Sequence, residues 1–248
     1  MGIARRPATV FFLAFGILAA VGLVVMLRPR LGRQVDRLAR VAPGVVTLAG
    51  RGQDAVSVSG ADTGSNLNPF STRGSLSLAP GAYRLRLNAS AWHVDVEPGR
   101  TSSVPVGAVV VEGVGEDHYQ VLDRSGGDAE TSSPTGKAME LFPGKYGVCL
   151  NGVWQDVMVE RGAPAIIRTG VLLLRGQTGM VYRVFDSVDG RPLAVREVGR
   201  PVEMFPGTYR LSCGGWSAVA TVRPGTKWAV QPAPRPSGSV SNASADRL

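Results

Sequence analysis

Two histidines, His93 and His118, are the side chains best suited to acid–base chemistry or metal binding, because imidazole titrates near neutral pH. His93 lies beside Trp92 in a predicted strand, and His118 begins another. Neither recurs in the internal repeat described below. An ordinary surface or strand-edge role is therefore favoured, and a shared metal or acid–base site is the alternative.

Short motifs of known enzymes are also missing from the chain. The sequence contains no HExxH, GxSxG, GxGxxG or GxxxxGK[ST] segment, and these segments position zinc ligands, nucleophiles or phosphates. We therefore predict a protein that is not an enzyme, with no catalytic residues, no cofactor and no metal site.

Four acidic residues occur in matched pairs. Asp123 and Asp186 each precede a turn, and Glu140 and Glu203 each precede an apolar pair that leads into Pro-Gly. Glycosidases use two carboxylates that flank one bond. Acids matched between separate repeats are better explained by common descent of the repeat, so roles in turns and on strand faces are favoured.

The cysteines, Cys149 and Cys213, are too few for a disulfide scaffold or a cysteine-based zinc site. They lie one residue out of register, since Cys149 aligns with Ser212. Alternation along a strand then directs them to opposite faces of equivalent strands. Two free thiols are favoured over a disulfide between them.

Three tryptophans, Trp92, Trp154 and Trp216, follow one another at equal intervals and admit two interpretations. Exposed and aligned along one face, they would stack on sugar rings. Because each copy of the repeat has one in what looks like the same place, covering one edge of a small core is favoured.

These candidate residues lie within an internal repeat. Strand-like segments begin at Gly44, Gly107 and Gly170, which are equally spaced, and the interval between them is the repeat period. The repeats are predicted to span 44–106, 107–169 and 170–232. The same period relates a Pro-Gly turn and a following tyrosine in each copy. These landmarks are Pro80, Gly81 and Tyr83, then Pro143, Gly144 and Tyr146, then Pro206, Gly207 and Tyr209.

Short apolar runs and period-two alternation predict about six strands in each repeat. Turns at such short intervals are typical of a small antiparallel β-sandwich. A tyrosine three residues after the turn proline resembles the tyrosine corner of sandwich domains, where the hydroxyl bonds to nearby backbone. The predicted fold is all-β, with three tandem small antiparallel β-sandwich repeats behind one transmembrane helix.

The turn segments of these repeats resemble bacterial PEGA-type repeats. Leu141-Phe-Pro-Gly-Lys-Tyr-Gly-Val and the later Val222-Arg-Pro-Gly-Thr carry the resemblance, which covers residues 44–232. It implies a module of the cell envelope that binds another component. The Gly-Tyr that follows the hairpin in many such repeats has no clear counterpart here.

An uncharged apolar segment at residues 9–27 is long enough to cross a bilayer as a helix. It is predicted to be a retained anchor, with residues 1–8 in the cytoplasm; a cleaved signal peptide is the alternative. A basic juxtamembrane linker, 28–43, follows, and a disordered tail is predicted at 233–248. Five arginines of the linker are expected at the membrane surface: Arg28, Arg30, Arg33, Arg37 and Arg40.

Most of the net charge of +8 lies near this segment. Residues 1–40 contain seven arginines and one acid, which leaves +2 for the other residues. A nucleic-acid partner is therefore disfavoured. The arginine distribution favours repeats on the cytoplasmic side. The protein type favours a periplasmic location, since long domains cross the membrane largely regardless of charge, and we predict a single-pass protein of the inner membrane with periplasmic repeats.

The predicted function is a membrane-anchored, non-enzymatic scaffold or interaction protein that binds another envelope protein through its repeats. Its other partner would be membrane lipid. Two alternatives stay open: a carbohydrate- or peptidoglycan-binding accessory module or envelope enzyme subunit, and a rigid spacer.

Overall fold

The computed structural model describes residues 42–61, 64–114, 116–124 and 130–231. These residues form 21 strands. Within these ranges no helix is long and apolar enough to cross a membrane. Several predicted features lie outside the described residues: the span 9–27, the five juxtamembrane arginines and the tail 233–248.

Each repeat consists of seven strands. Repeat 1 contains β1 Gly44–Leu48, β2 Ala55–Gly60, β3 Asn66–Ser71, β4 Ser75–Leu78, β5 Gly81–Leu87, β6 Ser90–Val96 and β7 Thr101–Val104. Repeat 2 contains β8 Gly107–Glu112, β9 His118–Asp123, β10 Glu130–Pro134, β11 Ala138–Leu141, β12 Gly144–Leu150, β13 Val153–Val159 and β14 Pro164–Arg168. Repeat 3 contains β15 Gly170–Leu174, β16 Val181–Asp186, β17 Pro192–Glu197, β18 Val202–Met204, β19 Gly207–Cys213, β20 Trp216–Val222 and β21 Lys227–Val230.

The strands of each repeat form a three-stranded and a four-stranded sheet. In repeat 1 the orders are β4-β1-β7 and β3-β2-β5-β6, and repeats 2 and 3 have the same two orders. The prediction of tandem β-sandwich repeats is confirmed at this level.

The sheets are mainly antiparallel, as predicted, but one strand pair in each repeat is parallel. β1 pairs parallel with β7, β8 with β14, and β15 with β21. The first strand occupies the middle of the three-stranded sheet, and the last strand crosses over from the other sheet to lie beside it. Parallel neighbours require such a crossover, which a turn motif cannot reveal.

Two-residue hairpins join β12 to β13 and β19 to β20, and the residues in these hairpins tolerate the positive φ angles that such turns require. Between β12 and β13, Asn151 and Gly152 have φ angles of 47° and 79°. Gly214 and Gly215 have φ angles of 53° and 83° between β19 and β20. Positive φ at both central residues is the geometry of a two-residue hairpin that follows the strand twist.

The glycine that begins each repeat is required by a close backbone approach. A Cβ atom at Gly107 would collide with the carbonyl oxygen of Glu160. Gly44 and Gly170 would meet the carbonyls of Glu97 and Arg223 in the same way. Only a residue without a side chain fits there, which explains why this landmark recurs.

Three buried clusters fill the sandwiches, and each contains or contacts a side chain from a neighbouring repeat. Phe142 of repeat 2 belongs to the cluster of repeat 1. Ala89 of repeat 1 and Phe205 of repeat 3 belong to the cluster of repeat 2. Val153 of repeat 2 packs against the cluster of repeat 3. The cores are therefore linked along the chain.

Candidate interaction sites

The recurring turn tyrosines are fixed by backbone hydrogen bonds. In each repeat the hydroxyl donates to the carbonyl four residues earlier: Tyr83 to Ala79 at 2.9 Å, Tyr146 to Phe142 at 2.7 Å and Tyr209 to Phe205 at 2.8 Å. This is the bond expected of a tyrosine corner. Burial raises the pKa of Tyr146 and of Tyr209 to about 12. The three hydroxyl bonds hold the Pro-Gly turns in place, and the raised pKa keeps Tyr146 and Tyr209 neutral at neutral pH.

The turns of repeats 2 and 3 are also the points at which adjacent repeats meet. We call the contact between repeats 1 and 2 the first joint and that between repeats 2 and 3 the second joint. In the first joint, the Phe142 ring lies 5.9 Å from the Trp92 ring, and Phe142 is 1% exposed. Phe205 takes the same position in the second joint and is 3% exposed.

A buried carboxylate accompanies each phenylalanine. Glu140, 1% exposed, accepts hydrogen bonds from the backbone N–H of Gln53 and of Asp54, both at 3.2 Å. It also accepts bonds from the Arg51 N–H and the Thr72 hydroxyl. A buried carboxylate is tolerated when donors surround it in this way.

A second layer of polar contacts fixes the approaching strand in the first joint. Asp54 accepts a bond from the Glu140 backbone N–H at 2.9 Å. The Asn88 side-chain amide donates to Asp54 at 3.0 Å and to the Glu140 carbonyl at 2.8 Å. Asp54 and Asn88 therefore satisfy both backbone groups of Glu140.

The second joint repeats this pattern one repeat period further along the chain. The Glu203 carboxylate accepts bonds from the N–H of Val114 at 2.7 Å and of Glu116 at 3.4 Å. The Glu203 N–H donates to Asp117 at 2.7 Å, and Asn151 donates to the Glu203 carbonyl at 2.9 Å. Asp117 and Asn151 thus replace Asp54 and Asn88.

The two joints differ in the residues that surround the buried glutamate. Arg196 pairs with Asp117 and donates to the Asn151 side-chain oxygen at 3.1 Å, whereas the matching position in the first joint is Ser133. The Glu203 Oε2 atom is buried without a hydrogen-bond partner. In the first joint, each Glu140 oxygen accepts at least one bond.

The second joint contains an open cleft. It encloses about 450 Å³ and is lined by residues that include Glu112, Val114, Glu116, Thr169 and Lys227. The matching space at the first joint encloses about 30 Å³. Equivalent positions thus produce a closed contact in one joint and an open one in the other.

The tryptophans do not occupy equivalent positions, so their assignment to the same place in each copy is wrong. Trp92 is the third residue of β6, Trp154 the second of β13 and Trp216 the first of β20. Each interval between them is one position shorter than the repeat period. Strand alternation therefore reverses the face that Trp154 occupies.

Two of the three tryptophans cover core edges. Trp92 and Trp216 are partly buried and pack against the clusters of repeats 1 and 3. Trp154 is 43% exposed on the outer face of repeat 2. The Arg124 guanidinium lies 5.2 Å from its ring centre and pairs with Asp156 at 3.2 Å. The three rings do not form one aligned surface.

The remaining candidate residues are dispersed. His93 and His118 are exposed on different repeats, and Cys149 and Cys213 are buried free thiols. Burial raises the pKa of the Cys149 thiol. Asp186 accepts a bond from the Val188 N–H at 2.8 Å, which is a turn role. Within the ranges that the structure covers, no cluster of metal-ligating side chains occurs.

Sequence reasoning matched Glu140 with Glu203 but missed their function, because strand-face roles were assigned to both. A signal was present in the printed chain. Three donor-side residues recur at the repeat period in repeats 1 and 2 alone: Asp54 and Asp117, Thr72 and Thr135, Asn88 and Asn151. Residues that recur only where a neighbouring repeat follows indicate a contact between repeats.

Comparisons with known proteins leave the chain without an assigned family. No family model matches it, and no curated protein matches it. The Bacillus anthracis TIE protein matches with a TM-score of 0.23 and 11% identity over 77% of this chain and 50% of that chain. The chain thus spans about half the length of that structure.

GBS52, the minor pilin of Streptococcus agalactiae, matches with a TM-score of 0.23 and 10% identity over 54% of this chain and 100% of that one. Such low similarity transfers no function. The described strands and joints define the class of the chain: a tandem β-sandwich repeat protein with buried polar contacts between its repeats.

Proposed function

We propose that this protein is a membrane-anchored, non-enzymatic scaffold of the bacterial cell envelope, related to PEGA-type repeat proteins, whose β-sandwiches form a rigid spacer and bind another envelope protein. The N-terminal span would anchor it in the inner membrane, with the repeats in the periplasm.

The observation that carries the proposal is the pair of joints. Each joint combines an inserted phenylalanine with a buried carboxylate that accepts bonds from the preceding repeat. Directional hydrogen bonds fix orientation, whereas an apolar contact alone permits sliding. The connections are also short, since β7 ends at Val104 and β8 begins at Gly107. Such a structure suits a protein that holds a surface at a fixed distance.

Rigidity is testable by the distance between spin labels on repeats 1 and 3. Cys149 and Cys213 would first be replaced by alanine, and labels placed on the exposed residues Ser57 and Arg183. We expect one narrow distance distribution from full-length protein in detergent micelles. Phe142→Ala should broaden it, and Val188→Ala, which changes a 94% exposed side chain, should not. A broad distribution in the unmodified protein would rule out a rigid spacer.

The location is testable by reporters fused after Leu248, which leaves β21 intact. Alkaline phosphatase activity without fluorescence of a green fluorescent protein fusion is expected for periplasmic repeats. Fluorescence without phosphatase activity would place them in the cytoplasm, as the juxtamembrane arginines suggest, and would contradict an envelope scaffold.

A carbohydrate-binding accessory is the second candidate, and the exposed Trp154 favours it. The Arg124 guanidinium lies over its ring. Arg124 also borders a pocket of about 290 Å³ together with Lys145, Asp156 and Met158. Soluble peptidoglycan fragments provide the test by calorimetry. Binding that Trp154→Ala abolishes and Trp216→Ala preserves would support this function, and no heat of binding would exclude it.

A further inference from the structure

The cleft of the second joint has the size and the position of a small-molecule site. It encloses about 450 Å³ between two repeats. Ligand pockets commonly measure about 300–1,000 Å³ and often lie at domain interfaces. The corresponding space of the first joint encloses about 30 Å³. The open space is therefore not a general consequence of joining two such repeats.

The floor of the cleft lies on the three-stranded sheet of repeat 3. Val171 lines the cleft from the middle strand, β15, and pairs with Glu203 on one side and with Lys227 on the other. Directly paired residues share a face of the sheet, so these three residues form one row. Because neighbouring strands lie about 4.8 Å apart, the Cα atoms at the two ends of the row are about 10 Å apart.

The two ends of this row offer opposite charges to the cleft. At one end is the exposed Lys227. At the other end, the buried Glu203 carboxylate accepts a bond from the Glu116 N–H at 3.4 Å, which places the Glu116 backbone beside it. The Glu116 side chain is exposed and lines the cleft. Within the described part of the chain, neither Lys227 nor Glu116 forms an ion pair.

Apolar side chains line the cleft between these charges. Val171 and Pro201 of repeat 3 are half-buried, and Val114 of repeat 2 is 63% exposed. A ligand that covers them removes apolar surface from water. Glu112 adds a second carboxylate to the lining, and Arg168 pairs with it at 3.2 Å.

The polar lining is specific to the second joint. At the repeat period, each charged or hydroxyl-bearing residue of the cleft corresponds to a residue with neither a charge nor a hydroxyl group. Glu112, Glu116, Thr169, Thr226 and Lys227 correspond to Ala49, Gln53, Val106, Ala163 and Pro164. One position changes in the other direction, since Val114 stands where the closed joint has the longer Arg51. The larger volume and the polar side chains therefore occur in the same joint.

We propose that this cleft binds a short peptide with free ends. The peptide carboxylate pairs with the Lys227 ammonium, the peptide ammonium pairs with the Glu116 carboxylate, and the middle of the peptide covers Val114 and Val171. An extended tripeptide spans about 10 Å, which matches the separation between the ends of the row. The site lies between two repeats of this chain, so the inference goes beyond the proposed scaffold function and does not depend on it.

The test uses the full-length, isotope-labelled protein in detergent micelles and tri-alanine with free ends. Amide resonances of Val114, Glu116, Val171 and Lys227 should shift on titration. Acetylated tri-alanine lacks the ammonium, and tri-alanine amide lacks the carboxylate. Each should bind about threefold to tenfold more weakly, since each loses one charge pair in a cleft that is open to water. Free alanine cannot reach both charges and should also bind more weakly.

Two protein variants assign each charge to its partner. Lys227→Gln should weaken the binding of tri-alanine and leave that of tri-alanine amide unchanged, because the amide has no carboxylate. Glu116→Gln should weaken the binding of tri-alanine and leave that of the acetylated peptide unchanged. Lys145→Gln and Glu160→Gln are the matched controls, since both residues are exposed and lie outside the lining of the cleft. They should leave all binding unchanged.

A third variant tests the space itself. Val114→Arg introduces the residue of the first joint at an exposed position of the cleft. The longer side chain should occupy the cleft and weaken the binding of tri-alanine about tenfold or more.

Several results would overturn the proposal. The absence of shifts at these amides at millimolar tri-alanine would show that the cleft binds no such peptide. Equal binding of the free, acetylated and amidated peptides would remove the recognition of charged ends. Equal weakening of tri-alanine and its amide by Lys227→Gln would remove the assigned pairing. None of these results bears on the reporters or the spin-label distances, so the scaffold can stand or fall separately.

Discussion

The first and second joints are built on the same residues, yet one is closed and the other is open. Both insert a phenylalanine and bury a glutamate whose backbone is held by an aspartate and an asparagine. The first leaves about 30 Å³ between the repeats, and the second leaves about 450 Å³. The phenylalanine, glutamate, aspartate and asparagine are therefore the same in both joints, whereas the residues around them differ.

This difference shows which interactions define a joint. The ring contributes apolar burial, and the carboxylate contributes direction, since its bonds form only when the donor loop is correctly placed. A buried carboxylate adds little net stability to the folded state. Its removal is nevertheless destabilising, because the buried groups that donated to it are left without an acceptor. Substitutions should therefore distinguish the contribution of the inserted phenylalanine and the buried glutamate from that of the residues around them.

The largest effect is expected from removal of the inserted rings. Phe142→Ala and Phe205→Ala should each lower the free energy of unfolding by about 3–5 kcal/mol, because both rings are buried in a neighbouring core. Phe142→Ala should have the larger effect, since Trp92 also loses an aromatic neighbour. Urea denaturation measures both, with Val188→Ala as a control. Losses below about 1 kcal/mol would show that the rings do not couple the repeats.

The glutamates should respond unequally to the same substitution. Glu140→Gln is expected to cost about 2–4 kcal/mol, because both oxygens accept bonds and an amide nitrogen cannot accept any of them. Glu203→Gln should cost less than about 1 kcal/mol, since the amide nitrogen can take the place of the unbonded Oε2. Thermal unfolding of the two variants provides the comparison, and equal losses would contradict the difference between the joints.

Arg196 offers a smaller test that affects the second joint alone. Arg196→Met should cost about 1–3 kcal/mol, because Asp117 is left buried without its cationic partner. A double-mutant cycle with Asp117→Asn isolates the pair, and a coupling energy near zero would show that the pair adds nothing to the joint.

A further loss of stability, which does not distinguish the two joints, is expected at alkaline pH. Burial raises the pKa of Tyr119, Tyr146 and Tyr209 to about 12 from an ordinary value of 10.0. The folded state therefore favours the neutral phenol, and this stabilisation is complete below pH 10 and is lost as the pH approaches 12. These tyrosines lie in repeats 2 and 3, which should lose stability across that interval. Calorimetry at rising pH measures the decline, and a constant transition temperature would contradict it.

The repeat and its turns could be predicted from the sequence because they depend on local chemistry. Gly107 must lack a side chain, so glycine also stands at Gly44 and Gly170. Positive φ likewise recurs at Asn88, Asn151 and Gly214, where Asn and Gly tolerate it. The alternation of Tyr146, Val148 and Leu150 likewise marked a buried strand face. The seventh strand was not foreseen, since its partner lies a whole repeat away in the chain.

The candidate site could be predicted only in part. The sequence paired Glu140 with Glu203, but a carboxylate in a strand has the same pattern whether it faces solvent or a neighbouring repeat. The one-residue offset of Trp154 was visible in the spacing, and only the strand register showed that the ring changes face.

The sequence by itself determined the repeat, the hairpins and the all-β character of the described chain, because these follow from the conformational limits of glycine and proline and from side-chain alternation. The tertiary structure decided which acids are buried and how the repeats meet. Those features depend on contacts between residues that are far apart in the chain, as with Asp54 and Glu140, and local preferences do not encode such contacts.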